Sequence, residues 1–294
     1  MRISLSVTNP SFPEGPLPGL LRVAAMADNA AFDTLWVADH LLQVDPTAPP
    51  ADHDHLEAYT TLGHLAARTE RIRLGAMVSP ATFRPPSVLI AAVTTLALLS
   101  GGRAWLGLGA GHHGAEAADM GLPFPDARTR LDATEDTLRL AHRIWSGDES
   151  PFPGTTVRCE RPRLSPLPAA RPPILVGGAG ERRTLRLVAR YADACNVFDI
   201  PDEGATVRRK LAVLAGHCRD LGRAPSDIET TMSTRLGPAE TAAELAARAR
   251  TAAGWGVDHL VLGVSRPWTP DAIEVAAAAA QEVADVSAAP WHSA

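Results

Sequence analysis

Short aliphatic runs alternate with longer stretches of helical periodicity along the whole chain. The short runs predict strands at 3–7, 34–38, 72–77, 104–108, 174–176, 194–197, 228–232 and 259–262. The stretches that follow them predict helices at 20–31, 57–68, 87–99, 128–145, 182–191, 206–221, 239–253 and 271–283. Strands that alternate with helices predict an α/β protein with a parallel sheet and right-handed crossovers.

The number of these units indicates how the sheet is arranged. Eight strand–helix units in 294 residues favour a closed (β/α)8 TIM barrel over an open sheet. The proline-rich segment 146–173 interrupts the alternation, and we interpret it as an insertion between the fourth helix and the fifth strand of a single domain spanning 1–294. In such a barrel the functional residues follow the carboxyl ends of the strands.

Composition and charge narrow the classes of function. The chain has 28 basic and 33 acidic residues, a net charge of −5, which does not favour a nucleic-acid or membrane-surface binder. No run of about 18 apolar residues predicts a membrane span. The cysteines, Cys159, Cys195 and Cys218, follow no CxxC spacing and predict neither disulfides nor a zinc site. We therefore expect a soluble, cytoplasmic protein whose partner is a small molecule.

The first candidate for chemistry follows the predicted second strand, where Asp39 precedes His40. Histidine titrates near neutral pH and can pass a proton to or from a bound substrate. A structural, hydrogen-bonded histidine is the alternative interpretation. The barrel prediction favours the functional one, because this position would face the open end of the barrel.

Small residues follow the third and fourth strands. The run LGAMVSP, with Met77 and Val78, is consistent with either a bulge beneath a ligand or an ordinary strand exit. Gly109, Gly111 and Gly114 satisfy the GxGxxG pattern, but they follow the fourth strand and not the first, as a dinucleotide fold would require. We interpret these glycines as positions where the backbone approaches a flat ligand.

Histidines near these loops are also candidates. His112 and His113 are adjacent, so they face different ways and do not predict a shared metal. The tract Asp52-His53-Asp54-His55 has a metal-binding composition. It lies in a proline-rich polar loop without a further ligand at regular spacing, so a solvated loop is favoured and no metal is expected. Hydrolase signatures such as GxSxG and HExxH are absent from the sequence.

A glycine-rich turn follows the fifth strand. Gly177, Gly178, Ala179 and Gly180 lead into a predicted helix that begins with Arg182 and Arg183. Unhindered backbone amides at a helix N-terminus form an anion site. An arginine there would add charge-assisted hydrogen bonds to a phosphate. A plain strand-to-helix turn is the alternative, and the four small residues followed by two arginines favour phosphate.

Five segments together carry a family resemblance. They are 32–44 (FDTLWVADHLLQV), 56–78 (LEAYTTLGHLAARTERIRLGAMV), 98–111 (LLSGGRAWLGLGAG), 172–198 (PPILVGGAGERRTLRLVARYADACNVF) and 208–229 (RRKLAVLAGHCRDLGRAPSDIE). In this order they resemble the bacterial luciferase-like oxidoreductases, and most closely the branch that uses the deazaflavin coenzyme F420. The resemblance covers most of residues 1–235.

The resemblance implies a TIM-like barrel with an insertion, usually homodimeric, that binds coenzyme F420. It implies that Asp39 and His40 lie against the ring system of the coenzyme. It also implies a non-proline cis peptide at Met77–Val78, beneath the ring. The turn 177–180 matches the one that holds the coenzyme phosphate, in agreement with the anion site.

The chain departs from the pattern after Gly111. The relatives that oxidise sugar phosphates have an acid at the position of His112, and Glu116 is the nearest acid here. We therefore do not transfer a sugar-phosphate substrate. We expect an oxidoreductase that moves a hydride between coenzyme F420 and an unidentified small organic substrate, with His40 as the proton donor or acceptor and His112 as the second candidate.

Two other functions remain open. An FMN-dependent monooxygenase would use the same barrel, because FMN shares the ring and the phosphate group. A cofactor carrier without chemistry is the third, and the presence of His40 argues against it.

Overall fold

The computed structural model describes residues 1–291 and forms a closed parallel barrel. Eight strands form its wall: β1 (Arg2–Val7), β2 (Thr34–Val37), β3 (Arg73–Ala76), β4 (Ala104–Gly109), β5 (Ile174–Gly177), β6 (Ala194–Phe198), β7 (Glu229–Arg235) and β8 (His259–Gly263). Each strand pairs in parallel with its neighbours in the chain, β1 pairs with β8, and the β3–β4 pairing completes the ring. The predicted (β/α)8 barrel is confirmed.

Helices surround the barrel, and each main helix follows one strand. They are α1 (Pro16–Asn29), α2 (Ala58–Ala66), α3 (Pro86–Leu99), α4 (Ala127–Trp145), α5 (Thr184–Tyr191), α6 (Ala205–Leu221), α7 (Ala242–Gly254) and α8 (Pro270–Glu282). Most of the buried aliphatic side chains lie between these helices and the strands. Within residues 1–291, none of the helices combines the length and hydropathy needed to cross a membrane.

A small second core fills the inside of the barrel. Trp36 and Trp105 lie with ring centroids 5.8 Å apart and pack with Leu175, Ala194 and Val261. A Cβ atom at position 75 would lie 2.6 Å from the Trp36 ring, so only Gly75 leaves room for this indole. Met77 and Val78 pack against the same cluster. This layer closes the barrel interior beneath its carboxyl-end face.

The structure adds short elements that the periodicity did not predict. A two-residue strand at Ser79–Pro80 pairs with the end of β4, and a short helix spans Gly114–Asp119. The proline-rich segment contains a hairpin of Phe152–Pro153 with Arg158–Cys159. The helix predicted over 182–191 begins at Thr184, because the chain is still in a turn at 181–183.

A buried polar cluster lies at the opposite end of the barrel, where the strands begin. Ser4 Oγ lies 2.5 Å from His259 Nε2, and His259 Nδ1 lies 2.6 Å from Glu229 Oε1. Ser4 also accepts a hydrogen bond from the backbone N–H of Thr34 at 3.0 Å. The cluster ties together β1, β2, β7 and β8.

Candidate active site

A cavity of about 750 Å³ opens at the carboxyl ends of the strands. All eight strands or the loops that follow them contribute to its wall. The residues are 6, 8, 40, 77–78, 80, 109–112, 176–180, 196, 198–199, 233–235, 261 and 263. α4 and α5 contribute Leu131, Thr134 and Thr184. This volume is typical of cofactor and small-molecule sites.

His40 lines the cavity and is held by Glu116. The Nδ1 atom of His40 lies 2.6 Å from Glu116 Oε2, and the Glu116 side chain is fully buried. The other carboxylate oxygen accepts the backbone N–H groups of Leu41 at 2.6 Å and Leu42 at 3.1 Å. Glu116 comes from the short helix after β4, and His40 follows β2. The sequence singled out both residues but did not predict that they pair.

The hydrogen bond to Glu116 indicates which ring nitrogen of His40 carries a hydrogen. Burial alone raises the pKa of Glu116, but the hydrogen bonds from His40 and the Leu41 amide outweigh it and hold the pKa below its ordinary value. An ionised carboxylate only accepts hydrogen bonds, so Nδ1 of His40 carries the proton. No hydrogen bond to Nε2 of His40 is present within residues 1–291. This nitrogen is therefore the basic atom that His40 can offer to a ligand.

Three other histidines surround His40. The ring centroids of His112, His55 and His113 lie 5.9, 6.3 and 6.3 Å from that of His40. Burial, and then the neighbouring His40, lower the pKa of His112, which also lines the cavity. His113 accepts the backbone N–H of Glu116 at 3.2 Å and so caps the short helix. His112 is thus a neutral polar group on the wall.

The described part of the chain, residues 1–291, has no group of three or more His, Cys, Asp or Glu side chains arranged to hold a metal ion. In the tract 52–55, Asp52 accepts a hydrogen bond from Asn9 Nδ2 at 2.7 Å. His53 and Asp54 are exposed. This tract anchors its loop and adds no charge to the cavity wall.

Asp39 lies behind His40 and does not line the cavity. Its Oδ2 atom accepts a hydrogen bond from Arg84 Nη1 at 2.7 Å, and Arg84 also contacts Glu57. The Oδ1 atom is buried and has no hydrogen-bond partner within residues 1–291. A buried carboxylate oxygen without a donor is costly. Because Asp39 does not line the cavity, its contact with a coenzyme ring stays a prediction of the resemblance.

The Met77–Val78 peptide bond is cis, as the resemblance implies, and both residues line the cavity. The Val78 side chain fills space next to two strands: a Cβ at Gly109 would lie 2.7 Å from it, and one at Gly177 would lie 2.9 Å from it. A Cβ at Gly107 would lie 1.9 Å from the carbonyl oxygen of Ala76. Gly107, Gly109 and Gly177 are therefore required by this bulge, which forms the cavity floor. Of the three glycines that the sequence predicts to approach a flat ligand, Gly109 thus leaves room for the Val78 side chain.

The turn 177–180 forms one wall of the cavity. Gly178 has φ +100°, a conformation that favours glycine. A Cβ at Gly180 would lie 2.9 Å from Thr184 Oγ1. Thr184 begins α5 and lines the cavity, and the residue before it provides no side-chain cap. The Leu185 amide already donates to the carbonyl oxygen of Gly180 at 3.0 Å. The backbone amides of the turn, together with the Thr184 hydroxyl, suit a phosphate group.

Neither arginine after this turn lines the cavity. The Arg182 side chain is exposed on the surface. Arg183 Nη2 lies 2.6 Å from Asp132 Oδ1 on α4. Because α5 begins at Thr184 and not at 182, both arginines lie in the turn before it. Thr184 is the residue that sequence reasoning missed, and its signal was the threonine directly before an apolar run.

These features fit a coenzyme with a flat ring and an anionic tail. The bulge at Val78 forms an apolar floor, and the turn 177–180 offers backbone amides to a phosphate. His40 stands at the wall with one free ring nitrogen.

The fold defines the class of this protein as a parallel (β/α)8 barrel with a ligand-sized cavity at the carboxyl ends of its strands. Residues 2–290 match the model of the luciferase-like monooxygenase family, and the chain belongs to this family.

Curated relatives are F420-dependent dehydrogenases. The F420-dependent glucose-6-phosphate dehydrogenase of Microbacterium testaceum is 28% identical over 74% of this chain and 63% of its own length. The F420-dependent hydroxymycolic acid dehydrogenase of Mycobacterium tuberculosis is 30% identical over 80% of this chain and 62% of its own length. The chain thus spans about three fifths of the length of these relatives.

Solved structures share the fold. An F420-dependent secondary alcohol dehydrogenase, in complex with an F420–acetone adduct, superimposes with a TM-score of 0.78 at 18% identity and covers 100% of this chain and 99% of that chain. A monooxygenase from Streptomyces bottropensis gives a TM-score of 0.76 at 18% identity, over 97% of this chain and 98% of that one. At these identities the likeness establishes the architecture alone.

Proposed function

We propose that this protein is an oxidoreductase that transfers a hydride between coenzyme F420 and a small organic substrate, acting as one barrel domain that spans 1–294. The observation that carries the proposal is the His40–Glu116 pair, which leaves a basic nitrogen at the wall of a coenzyme-sized cavity. The F420-dependent activity of the curated relatives supports the choice of coenzyme.

The residues of the chain divide the work of such a reaction. Bound coenzyme F420 supplies a ring carbon that accepts or releases a hydride. The turn 177–180 and Thr184 would hold its phosphate, and Val78 would provide the apolar surface for its ring.

His40 manages the proton. During substrate oxidation, Nε2 of His40 takes the proton of the reacting hydroxyl, and during reduction it returns this proton. Glu116 stabilises the imidazolium that forms, because its carboxylate already accepts the Nδ1 proton. His112 stays neutral beside the substrate and provides a second hydrogen-bonding group.

The coenzyme is the first point to test. Purified protein is titrated separately with coenzyme F420 and with FMN while the fluorescence of each is followed. We expect saturable binding of F420 and at least about 100-fold weaker binding of FMN, a difference of roughly 2.7 kcal/mol. Tight binding of FMN without binding of F420 would replace the proposal with an FMN-dependent monooxygenase.

We also propose that the protein forms a homodimer through α3. The 14 residues of this helix contain no charged side chain, and Val88, Leu98 and Leu99 are exposed, the last by 66%. A second copy of the same face would cover this apolar surface. Sedimentation should give a dimer for the wild type and a monomer for Leu99→Glu. The control Leu167→Glu, on the insertion, should remain dimeric; a monomeric wild type would contradict the proposal.

The cytoplasm is the proposed place of action. Cys159, Cys195 and Cys218 are all free thiols, and free thiols persist in a reducing compartment. Cell fractionation should recover the protein with cytoplasmic markers, and its recovery outside the cell would contradict this.

A further inference from the structure

We propose that His113 is a positioning residue that couples the protonation of the site to the His40–Glu116 pair. With a neutral ring it caps the short helix that carries Glu116, and in acid its protonated ring releases this helix. The inference rests on the proposed function only where it takes His40 as the base of the reaction. The cap involves no coenzyme atom, so it is open to a separate test.

The short helix Gly114–Asp119 begins at a histidine cap. Nδ1 of His113 accepts the backbone N–H of Glu116 at 3.2 Å. An N-cap side chain must offer an acceptor, and Ser, Thr, Asp and Asn usually provide it. A histidine, unlike these residues, keeps an acceptor at Nδ1 only while this nitrogen carries no proton. The cap and the protonated ring of His113 therefore exclude each other.

The short helix has little else to hold it. Its six residues make less than two turns, and a helix of this length is not stable by itself in water. Glu116 and Ala117 are the buried residues of this helix. Their burial and the cap therefore fix where the helix begins.

Glu116 connects the cap to the catalytic pair. It occupies the third position of the helix, where a glutamate often bonds back to the backbone N–H of its own cap. Here its carboxylate contacts His40 Nδ1 at 2.6 Å and accepts the amides of Leu41 and Leu42 instead. The carboxylate that orients His40 and the amide that His113 caps thus belong to one residue. A movement of the helix start displaces both.

Three other imidazoles lie around the same carboxylate. The ring centroids of His40 and His112 each lie 6.3 Å from that of His113, and His55 lies 6.3 Å from His40. Burial, then the charges of His40 and His113, lower the pKa of His112. Burial and then His40 lower the pKa of His55. Each imidazolium in this cluster therefore makes the next one less favourable.

The neighbouring charged groups do not relieve this repulsion. Asp39 is already paired with Arg84 at 2.7 Å. Arg130 lies over the Phe124 ring, 4.1 Å from its centroid, and this ring packs against the first residue of the short helix. Arg130 thus adds a further positive charge. Glu116 is the carboxylate hydrogen-bonded to the cluster, and it can compensate one imidazolium.

These contacts define what a fall in pH does to the site. His113 is partly exposed and can take a proton from solvent. Its Nδ1 atom then becomes a donor that faces the N–H donor of Glu116, and the bond is lost. The positive ring also opposes the positive end of the helix dipole. The helix start moves away, and His40 loses the carboxylate that fixes its tautomer.

Hydrogen exchange of the Glu116 amide measures the cap in protein without coenzyme. Protection factors are determined by NMR at about pH 7.5 and about pH 5, on either side of the range in which histidine titrates. They are compared between the wild type and His113→Asn, whose side-chain carbonyl oxygen caps without titrating. We expect protection in acid to fall at least about tenfold in the wild type and less than about twofold in His113→Asn.

Two results of this experiment would overturn the proposal. One is an equal pH dependence in the wild type and His113→Asn. The other is a wild type whose Glu116 amide stays protected while the ring resonances show that His113 is protonated.

His53→Asn is the matched control. It makes the same replacement at an exposed histidine in the loop after β2. Its Glu116 amide should show the pH dependence of the wild type. Loss of that dependence in His53→Asn would show that the number of histidines, and not the cap, is responsible.

His113→Ala removes the cap without acid and tests the link to the catalytic pair. At about pH 7.5 the ¹⁵N shifts of the His40 ring should show a mixture of tautomers in this variant. The wild type and His113→Asn should both show the form protonated at Nδ1. Rescue by asparagine separates capping from general damage to the fold. A wild-type tautomer in folded His113→Ala would overturn the proposal; if this variant does not fold, the exchange comparison with His113→Asn decides.

All of these measurements use protein without coenzyme. Absence of F420 binding would therefore overturn the proposed function, whereas the cap is judged by the Glu116 amide and the His40 tautomer alone.

Discussion

Two histidine–glutamate pairs lie at opposite ends of this barrel, and they differ in what surrounds them. In both, Nδ1 lies 2.6 Å from a glutamate oxygen. His40 is 17% exposed in its side chain, lines the cavity and has no partner at Nε2 within residues 1–291. His259 is 1% exposed, and Ser4 occupies its Nε2 at 2.5 Å.

The comparison teaches that a charge-assisted pair does not define a site. Ser4, His259 and Glu229 have the connectivity of a hydrolytic triad. None of the three lines the large cavity, and Ser4 Oγ already accepts a backbone amide. Where the strands begin, the His259–Glu229 pair satisfies buried polar groups. At the open end, the His40–Glu116 pair leaves a reactive atom that faces the cavity.

The largest expected effect is on activity at the open end. His40→Ala removes the proton acceptor and should lower kcat by about 10²- to 10⁴-fold, the range typical of a general base. Coenzyme affinity should stay within a few-fold of the wild type. Steady-state kinetics and fluorescence titration measure the two quantities, and wild-type turnover in the variant would exclude His40 from the mechanism.

Glu116→Gln should lower kcat by about 10- to 100-fold, as is usual when a positioning partner is replaced. The amide can still accept from the Leu41 and Leu42 backbone, but its NH₂ group faces Nδ1 and forces the proton to Nε2. ¹⁵N NMR of the His40 ring should show this change of tautomer. A loss of activity without a change of tautomer would mean that Glu116 acts only through the fold.

His259→Ala should have the opposite profile. It removes the partner of the Ser4 hydroxyl proton and one of the two partners of Glu229, which keeps its ion pair with Arg2 at 3.0 Å. It should therefore reduce the free energy of unfolding by about 1–3 kcal/mol. Chemical denaturation measures this loss. The kcat of the folded variant should remain within about twofold of the wild type, because none of the three residues lines the cavity. A tenfold fall would correspond to about 1.4 kcal/mol in the barrier. A fall in kcat similar to that of His40→Ala would show that the two ends are coupled.

The smallest effect concerns acid stability. The pKa of Glu116 in the folded protein lies below the ordinary value of a glutamate, so the unfolded chain binds more protons in the acidic range. The stability that Glu116 contributes is complete above the ordinary pKa of a glutamate, about 4.3, and is lost as the pH falls through the lowered pKa of the folded protein. The unfolding free energy of the wild type should therefore decrease more steeply on acidification than that of Glu116→Gln. Equal slopes in denaturation series between pH 6 and about pH 3.5 would contradict this.

The sequence predicted the barrel because its periodicity is strong. The strand at 104–108 and the helix at 206–221 agree with β4 and α6 to within one residue at each end. Aliphatic strands buried on both faces and long amphipathic helices leave few alternatives. The short helix that carries Glu116 has six residues, too few for a periodic signal.

Side-chain partnerships in the site could not be read from the sequence. The pairing of His40 with Glu116 joins residues that are 76 positions apart. The pairing of Asp39 with Arg84 depends equally on how two loops meet. A glycine in the sequence looks the same whether a ligand or a neighbouring side chain needs the space. Only the structure shows that Gly109 leaves room for the Val78 side chain.

The way Val78 fills the space beside Gly107, Gly109 and Gly177 has a consequence for protein engineering. A library that enlarges any of these glycines would collide with the bulge, and a library that trims Val78 would open a void beneath the coenzyme. New specificities should therefore be sought by varying other cavity-lining residues such as Phe198 and Leu131, while Val78 and its three glycines are kept.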